Sequence, residues 1–232
     1  MSYNLDQQDQ QTKKTARVRR LFVAALVFVC AFGAATSAAA QTVTPPPTPT
    51  AIAPPAGNTA YAVGHAFGSQ GYVCLPDQIN GGTSWTVNPA RPEATLFVDV
   101  FGQPVQIITH FASIDANPNG NAPNPVPLGG NATWQSSFDT SKVWAAVPSP
   151  QKDHTIVAGS DASCPNTGAI PCLLLQSVGN QRGPTGGKFL AEATFVQRLN
   201  TKGGSAPTTA CTVGQTQLQG YTADYFFYRA DQ

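Results

Sequence analysis

From Gly71 to Arg229 the apolar residues of this chain recur with a period of two or in short unbroken runs, and turn formers separate each run from the next. No stretch holds the helical spacing i, i+3, i+4, i+7 over a useful length, so the pattern constrains the chain to strands. Residues 71–75 form one run, ended by Pro76 and Asp77, and residues 84–87 follow Gly81 and Gly82. Residues 94–101 alternate through Leu96, Val98 and Val100 up to Gly102, and 105–111 follow closely enough to make a hairpin. Residues 133–138, 143–147, 173–178, 189–199 and 221–229 complete the set. Leu190 to Ala193 have helix propensity, but Phe189, Ala191, Ala193 and Phe195 hold the period of two. A strand containing Glu192 is therefore expected there. About nine short strands with turns between them predict an all-β, single-domain β-sandwich, with a closed β-barrel as the alternative.

The two ends of the chain behave differently. Residues 1–20 are polar with five basic side chains, residues 21–35 are apolar, and Ala38, Ala39 and Ala40 precede Gln41 as a cleavage site would. This is the layout of an export signal over 1–40; the apolar run stops short of the roughly 20 residues that a membrane span needs. Arg19 and Arg20 leave the choice between general and twin-arginine export open. Residues 41–57 are rich in Pro, Thr and Ala and read as an extended linker, which puts the domain at 58–232. Export would leave eight basic against ten acidic residues, a formal charge of −2 with no basic run. Nucleic acid and, after cleavage, membrane are therefore not expected as partners. The expected location is periplasmic or secreted, with an unknown ligand or an envelope component as partner.

Cys30 would leave with the signal, so four cysteines remain for an oxidising compartment. Cys164 and Cys172 bracket turn material (Pro165, Asn166, Thr167, Gly168) and are expected to pair, which leaves Cys74 for Cys211. The metal alternative lacks a closely spaced Cys/His set, so no metal site is expected.

The common catalytic signatures are absent. Phe67 stands where a nucleophile elbow around Ser69 needs its first glycine. Arg182 and Phe189 spoil a phosphate loop around Gly186, Gly187 and Lys188, and no dinucleotide fingerprint opens a helix. No cofactor is expected. Glu93, His110 and Asp224 remain as weak candidates for acid–base work. Arg198 and Asp224 are lone charges in apolar runs, and a cross-strand ion pair would account for both. Trp85, Trp134 and Trp144, with Tyr221, Tyr225 and Tyr228, are candidates for a sugar-stacking platform, although core packing explains most aromatics in such a fold. Residues 115–130 have no periodicity and read as an insertion or a binding loop.

An ordered set of short segments resembles one known family. It comprises residues 71–74, residues 92–97, His110 with Phe111, the neighbourhood of Trp134, residues 141–143, and Ile170 and Pro171 before Leu173 to Leu175. It continues through residues 194–200, Gly203 and Gly204 with Ala206 and Pro207, Cys211, and residues 221–228. Together these resemble the exported domain-of-unknown-function family 3455, from about Gly71 to the C-terminus. The resemblance implies a secreted bacterial or fungal protein with no established activity. Some similar fungal sequences carry a malate dehydrogenase label, against which the missing fingerprint and the export signal both argue. Members tend to have Trp at the position of Cys172, so a disulfide with Cys164 looks like a replacement for a packed indole. The long loop between His110 and Trp134 departs from typical members, and a site built jointly from those two is not expected to carry over. The sequence thus points to a binding or structural module; a hydrolase on an extracellular substrate and a metal-binding envelope protein are the alternatives.

Overall fold

The computed structural model describes residues 43–115 and 129–232. The signal reading of 1–40 with Cys30, the first linker residues, and residues 116–128 of the expected loop lie outside the described residues. Nine strands are present among them: β1 (Asn58–Pro76), β2 (Thr83–Val100), β3 (Gln103–Ser113), β4 (Asn131–Ser136), β5 (Lys142–Ala146), β6 (Thr155–Ile156), β7 (Cys172–Gln181), β8 (Phe195–Gly203) and β9 (Thr216–Ala230). They form one antiparallel sheet in the order β5-β4-β3-β2-β1-β9-β8-β7-β6. β5 also pairs with β7, so the hydrogen bonding runs through eight strands and returns to its start, leaving β6 beside β7. The expected all-β fold with two disulfides is what forms. Its strands belong to one antiparallel sheet in which β5 is paired with both β4 and β7.

Strand alternation sorts the side chains into two layers. Leu96, Ile108, Trp134, Val143, Val196 and Phe227 come from six different strands and meet in one buried cluster on the inner face. A second cluster lies on the outer face of β7, β8, β9 and the start of β1, where Leu174, Leu199, Phe226 and Tyr228 pack with Cys164 and Cys172. The two disulfides pair as expected, Cys74 with Cys211 and Cys164 with Cys172.

Three local expectations change. The run at 71–75 is the end of a 19-residue β1, and the runs at 84–87 and 94–101 are two parts of β2, kept in register with β1 by an irregularity between Gln70 and Tyr72. Residues 189–194 form turns, and β8 begins only at Phe195. There Leu190 and Ala193, three residues apart, reach the inner cluster from a turn closed by the Ala193 N–H on the Leu190 carbonyl (3.1 Å), so the period of two through Phe189, Ala191 and Ala193 does not mark a strand. Glu192 projects from that turn toward Lys188 Nζ at 2.6 Å.

The third concerns residues 43–57. The segment expected to be a free linker lies on the outer cluster: Ile52 is 0% exposed and Val43 packs beside it. Gln197, itself fully buried, donates from Nε2 to the Ile52 carbonyl (2.6 Å) and accepts the Tyr228 hydroxyl (2.6 Å). Proline stiffness keeps the segment extended but does not prevent one apolar side chain from docking. Ile52→Ala should therefore cost about 2–5 kcal/mol in denaturant unfolding, whereas a free linker would lose nothing. In the chain-entropy model, removing Cys74–Cys211 (137 residues apart) costs about 5 kcal/mol and removing Cys164–Cys172 (8 apart) about 2.5. Unfolding of the two double-alanine variants should show that order.

Candidate functional site

The antiparallel register decides which of the nominated residues can meet. Leu199 lies opposite Asp224 and Arg198 opposite Tyr225. Directly opposed residues share a face and successive ones alternate, so Arg198 and Asp224 point to opposite sides of the sheet. The strands are neighbours as the ion-pair expectation required, but the pair does not form. Arg198 instead donates from Nε and Nη2 to the Pro171 carbonyl, at 3.1 and 2.8 Å. Asp224 takes two other partners on the outer face: Oδ1 lies 2.6 Å from His65 Nδ1, and Oδ2 accepts Asn200 Nδ2 at 2.7 Å. A carboxylate only accepts, so the His65 Nδ1–H donates to Asp224. With the His65 side chain 55% exposed, the pair stands largely in water. Asn200 is placed by a left-handed backbone (φ 51°) at the irregularity between Leu199 and Lys202. Neither His65 nor Asn200 was nominated from sequence. The only signal for His65 was its place in an alternating run, and that signal needs the β1–β9 register to mean anything.

His110 lies on the inner face. It pairs in register with Trp134 and stacks on its indole with centroids 4.4 Å apart and planes 9° from parallel, with Tyr225 at 5.5 Å. The intervening loop therefore does not separate them, because the β3–β4 pairing closes behind it. Nδ1 donates to the Thr133 carbonyl at 2.9 Å. Burial pushes the His110 imidazole down to about 4; the Thr133 hydrogen bond opposes this and the charge of Arg198 adds to it. The Trp134 indole N–H is buried without an acceptor among the described residues. Tyr221 and Tyr225 share a hydroxyl contact at 3.1 Å nearby. Glu93 is exposed on β2 opposite Ser69, whereas His65 and Asp224 face each other four residues further along. At strand rise that is about 13 Å. Glu93, His110 and Asp224 share no cleft.

The tryptophans do not make a platform either. Trp134 is in the inner core, and Trp144 is buried against Gly179, where a Cβ would come within 2.4 Å of the indole. Trp85 donates its N–H to the Thr209 carbonyl (2.9 Å), beside the Cys74–Cys211 staple. Tyr221, Tyr225 and Tyr228 are all buried. Among the described residues no three His, Cys, Asp or Glu side chains stand close enough to share a metal ion. Asp139 is a structural anchor. Burial would raise its carboxyl, but hydrogen bonds from the Phe189 N–H, from Ser141 and from Ser136 hold it at about 2.

A concavity lies on the outer side of β7. Gln176 pairs with Phe195 of β8 on one edge and with Ala146 of β5 on the other; beyond it β7 continues against β5 alone. Where β7 leaves β8, a groove of about 300 Å³ opens, lined by Asn58, Gln176, Ser177, Asn180, residues 191–193, Thr194 and Phe195. Its walls are amides, hydroxyls, one carboxylate and one half-buried phenyl ring.

The chain belongs to the family described as Protein of unknown function (DUF3455), which matches residues 55–229. The match begins before Gly71, where the sequence resemblance was first visible. Comparison with curated proteins and with solved structures gave no match.

The state of His110 makes stability depend on pH in a defined window. Its folded value (about 4) lies below its ordinary 6.5. As pH falls through 6.5 the unfolded chain takes up a proton that the folded chain refuses. Stability should thus be lost between pH 6.5 and about 4, by about 3 kcal/mol in all, and lose nothing more from this group below that. His110→Gln should flatten the stability profile in that window, measured by urea unfolding at a series of pH values, whatever its stability at pH 7.

Proposed function

We propose that this protein is an exported binding module that works at the cell envelope or outside the cell. The observation that carries the reading is the separation of the three acid–base candidates: His110 is locked in the core, Asp224 is held by His65 and Asn200, and Glu93 stands about 13 Å along the sheet from that pair. An acid–base catalyst needs at least two such groups within reach of one reacting atom. Two formed disulfides, and the lack of any helix among the described residues long and apolar enough to cross a membrane, agree with the export half of the reading. So does the layout of residues 1–40.

A hydrolytic reading has one observation in its favour, the hydrogen bond that orients the half-exposed His65 ring on Asp224. An oriented imidazole is the base half of many nucleophilic sites. Here it lies on the outer sheet face, more than half exposed, and Asp224 is the one nominated group beside it. Binding is the better-supported reading.

A thermal-shift screen of the purified protein against oligosaccharides, divalent metals and envelope fragments separates the two. A ligand present at 100 times its dissociation constant should add about 2.7 kcal/mol to stability. The expected result is a shift from at least one class with no turnover. Turnover of any compound in the panel that is lost in His65→Gln would favour the hydrolase, and silence throughout would count against binding.

A further inference from the structure

We infer that the groove where β7 parts from β8 is a binding site for a neutral glycan, an assignment that rests on the binding-module reading and names its ligand class. The groove has a fixed floor and free walls. On the floor, Thr194 Oγ1 lies 2.7 Å from Asn58 Oδ1 and 3.1 Å from the Tyr228 carbonyl, and Asn58 Nδ2 donates to the Pro55 carbonyl at 3.1 Å. The Ser177 N–H donates to the Thr194 carbonyl at 2.8 Å, which ties β7 to the far bank. These groups are committed and hold the shape of the groove. By contrast, the side-chain amides of Gln176 and Asn180, both lining the groove, have no hydrogen-bond partner among the described residues. Glu192 spends one oxygen on Lys188 at 2.6 Å and keeps the other open.

The chemistry of those free groups selects the ligand. Each amide offers paired donors and an acceptor, and a free carboxylate oxygen accepts. Vicinal hydroxyls, each both donor and acceptor, match that set; a hydrocarbon chain does not. Lys188 offsets the charge of Glu192, which leaves no surplus positive charge for a phosphate or a uronate. Phe195 contributes an apolar wall for the C–H face of a sugar ring, because its own ring is packed on the outer cluster. The groove is open on its solvent side, so one or two units of a longer chain fit without enclosure.

The test is calorimetric titration of the purified protein with neutral oligosaccharides of four to six units in glucan, mannan and chitin types. Oligogalacturonate and inorganic phosphate serve as charged probes. At least one neutral oligosaccharide should bind, and Gln176→Ala with Asn180→Ala should weaken it tenfold or more at an unchanged melting temperature. If the double variant melts early, Asn180→Ala alone, at an exposed position, gives the same reading. His65→Gln should bind as the parent does. A sugar that binds the double variant undiminished overturns the groove assignment and leaves the binding-module reading standing. Binding of only the charged probes, or of none of the sugars while another class shifts stability, overturns the glycan class. Silence here and in the broader screen overturns both.

Discussion

Between Gln176 and Gln181, β7 hydrogen-bonds to β5 through five registered pairs, and that pairing links the two ends of an eight-strand run so that its inner face is covered. Were it absent, Val143 and Ala145 on β5 and Leu173 and Leu175 on β7 would border an open seam, and the inner cluster would meet water along its length. The pairing demands a particular close approach. Trp144 lies opposite Gly179, and any side chain there would start inside the indole. Closing the seam also forces β7 to divide its two edges between β8 early and β5 late. The groove is the geometric remainder of that division, which is why it lies at Gln176 and Ser177.

The outer layer depends on a different contact. β7, β8 and β9 carry apolar side chains on both faces, so closure alone leaves Leu174, Leu199 and Phe226 uncovered. The Cys164–Cys172 staple and the segment around Ile52 provide the cover. Gln197 ties the Ile52 segment to β9 with a fully buried amide, satisfied at both ends by Ile52 and Tyr228. A buried amide left half-paired costs more than an apolar residue in the same place, so Gln197 commits residues 43–57 to the domain. A proline-rich composition says only that the segment cannot make a core of its own.

What the sequence made legible was local. Alternation, turns and the even cysteine count give strands, their approximate places and both disulfides. Gly203 and Gly204 mark a real constraint, since both have left-handed φ (73° and 80°) and a Cβ on either would crowd Gly220 or Tyr221. What it hid was register. Arg198 and Asp224 look like partners because both are charges in apolar strands that prove to be adjacent, yet a one-residue offset sends them to opposite faces. The partner that Asp224 does take, His65, lies 159 residues away and is visible only once β1 is set against β9. The tryptophans fail as a platform for a related reason: aromatic count carries no information about facing, and Trp134 and Trp144 are worth more in the packing than on the surface.

The same separation bears on how function sits on this fold. Neither Gln176 nor Asn180 belongs to a core cluster or a disulfide, and the floor beneath their amides is held by Asn58, Thr194 and backbone groups. Substitution of the Gln176 and Asn180 side chains should therefore alter the surface of the proposed site without opening the seam or uncovering the outer layer. His110 is the opposite case, a titratable group bound into Trp134, Thr133 and Tyr225 so closely that changing it changes the core. A fold arranged this way keeps its stability in register-dependent pairs, and the groove proposed to bind lies where one such pairing, β7 with β8, ends at Gln176.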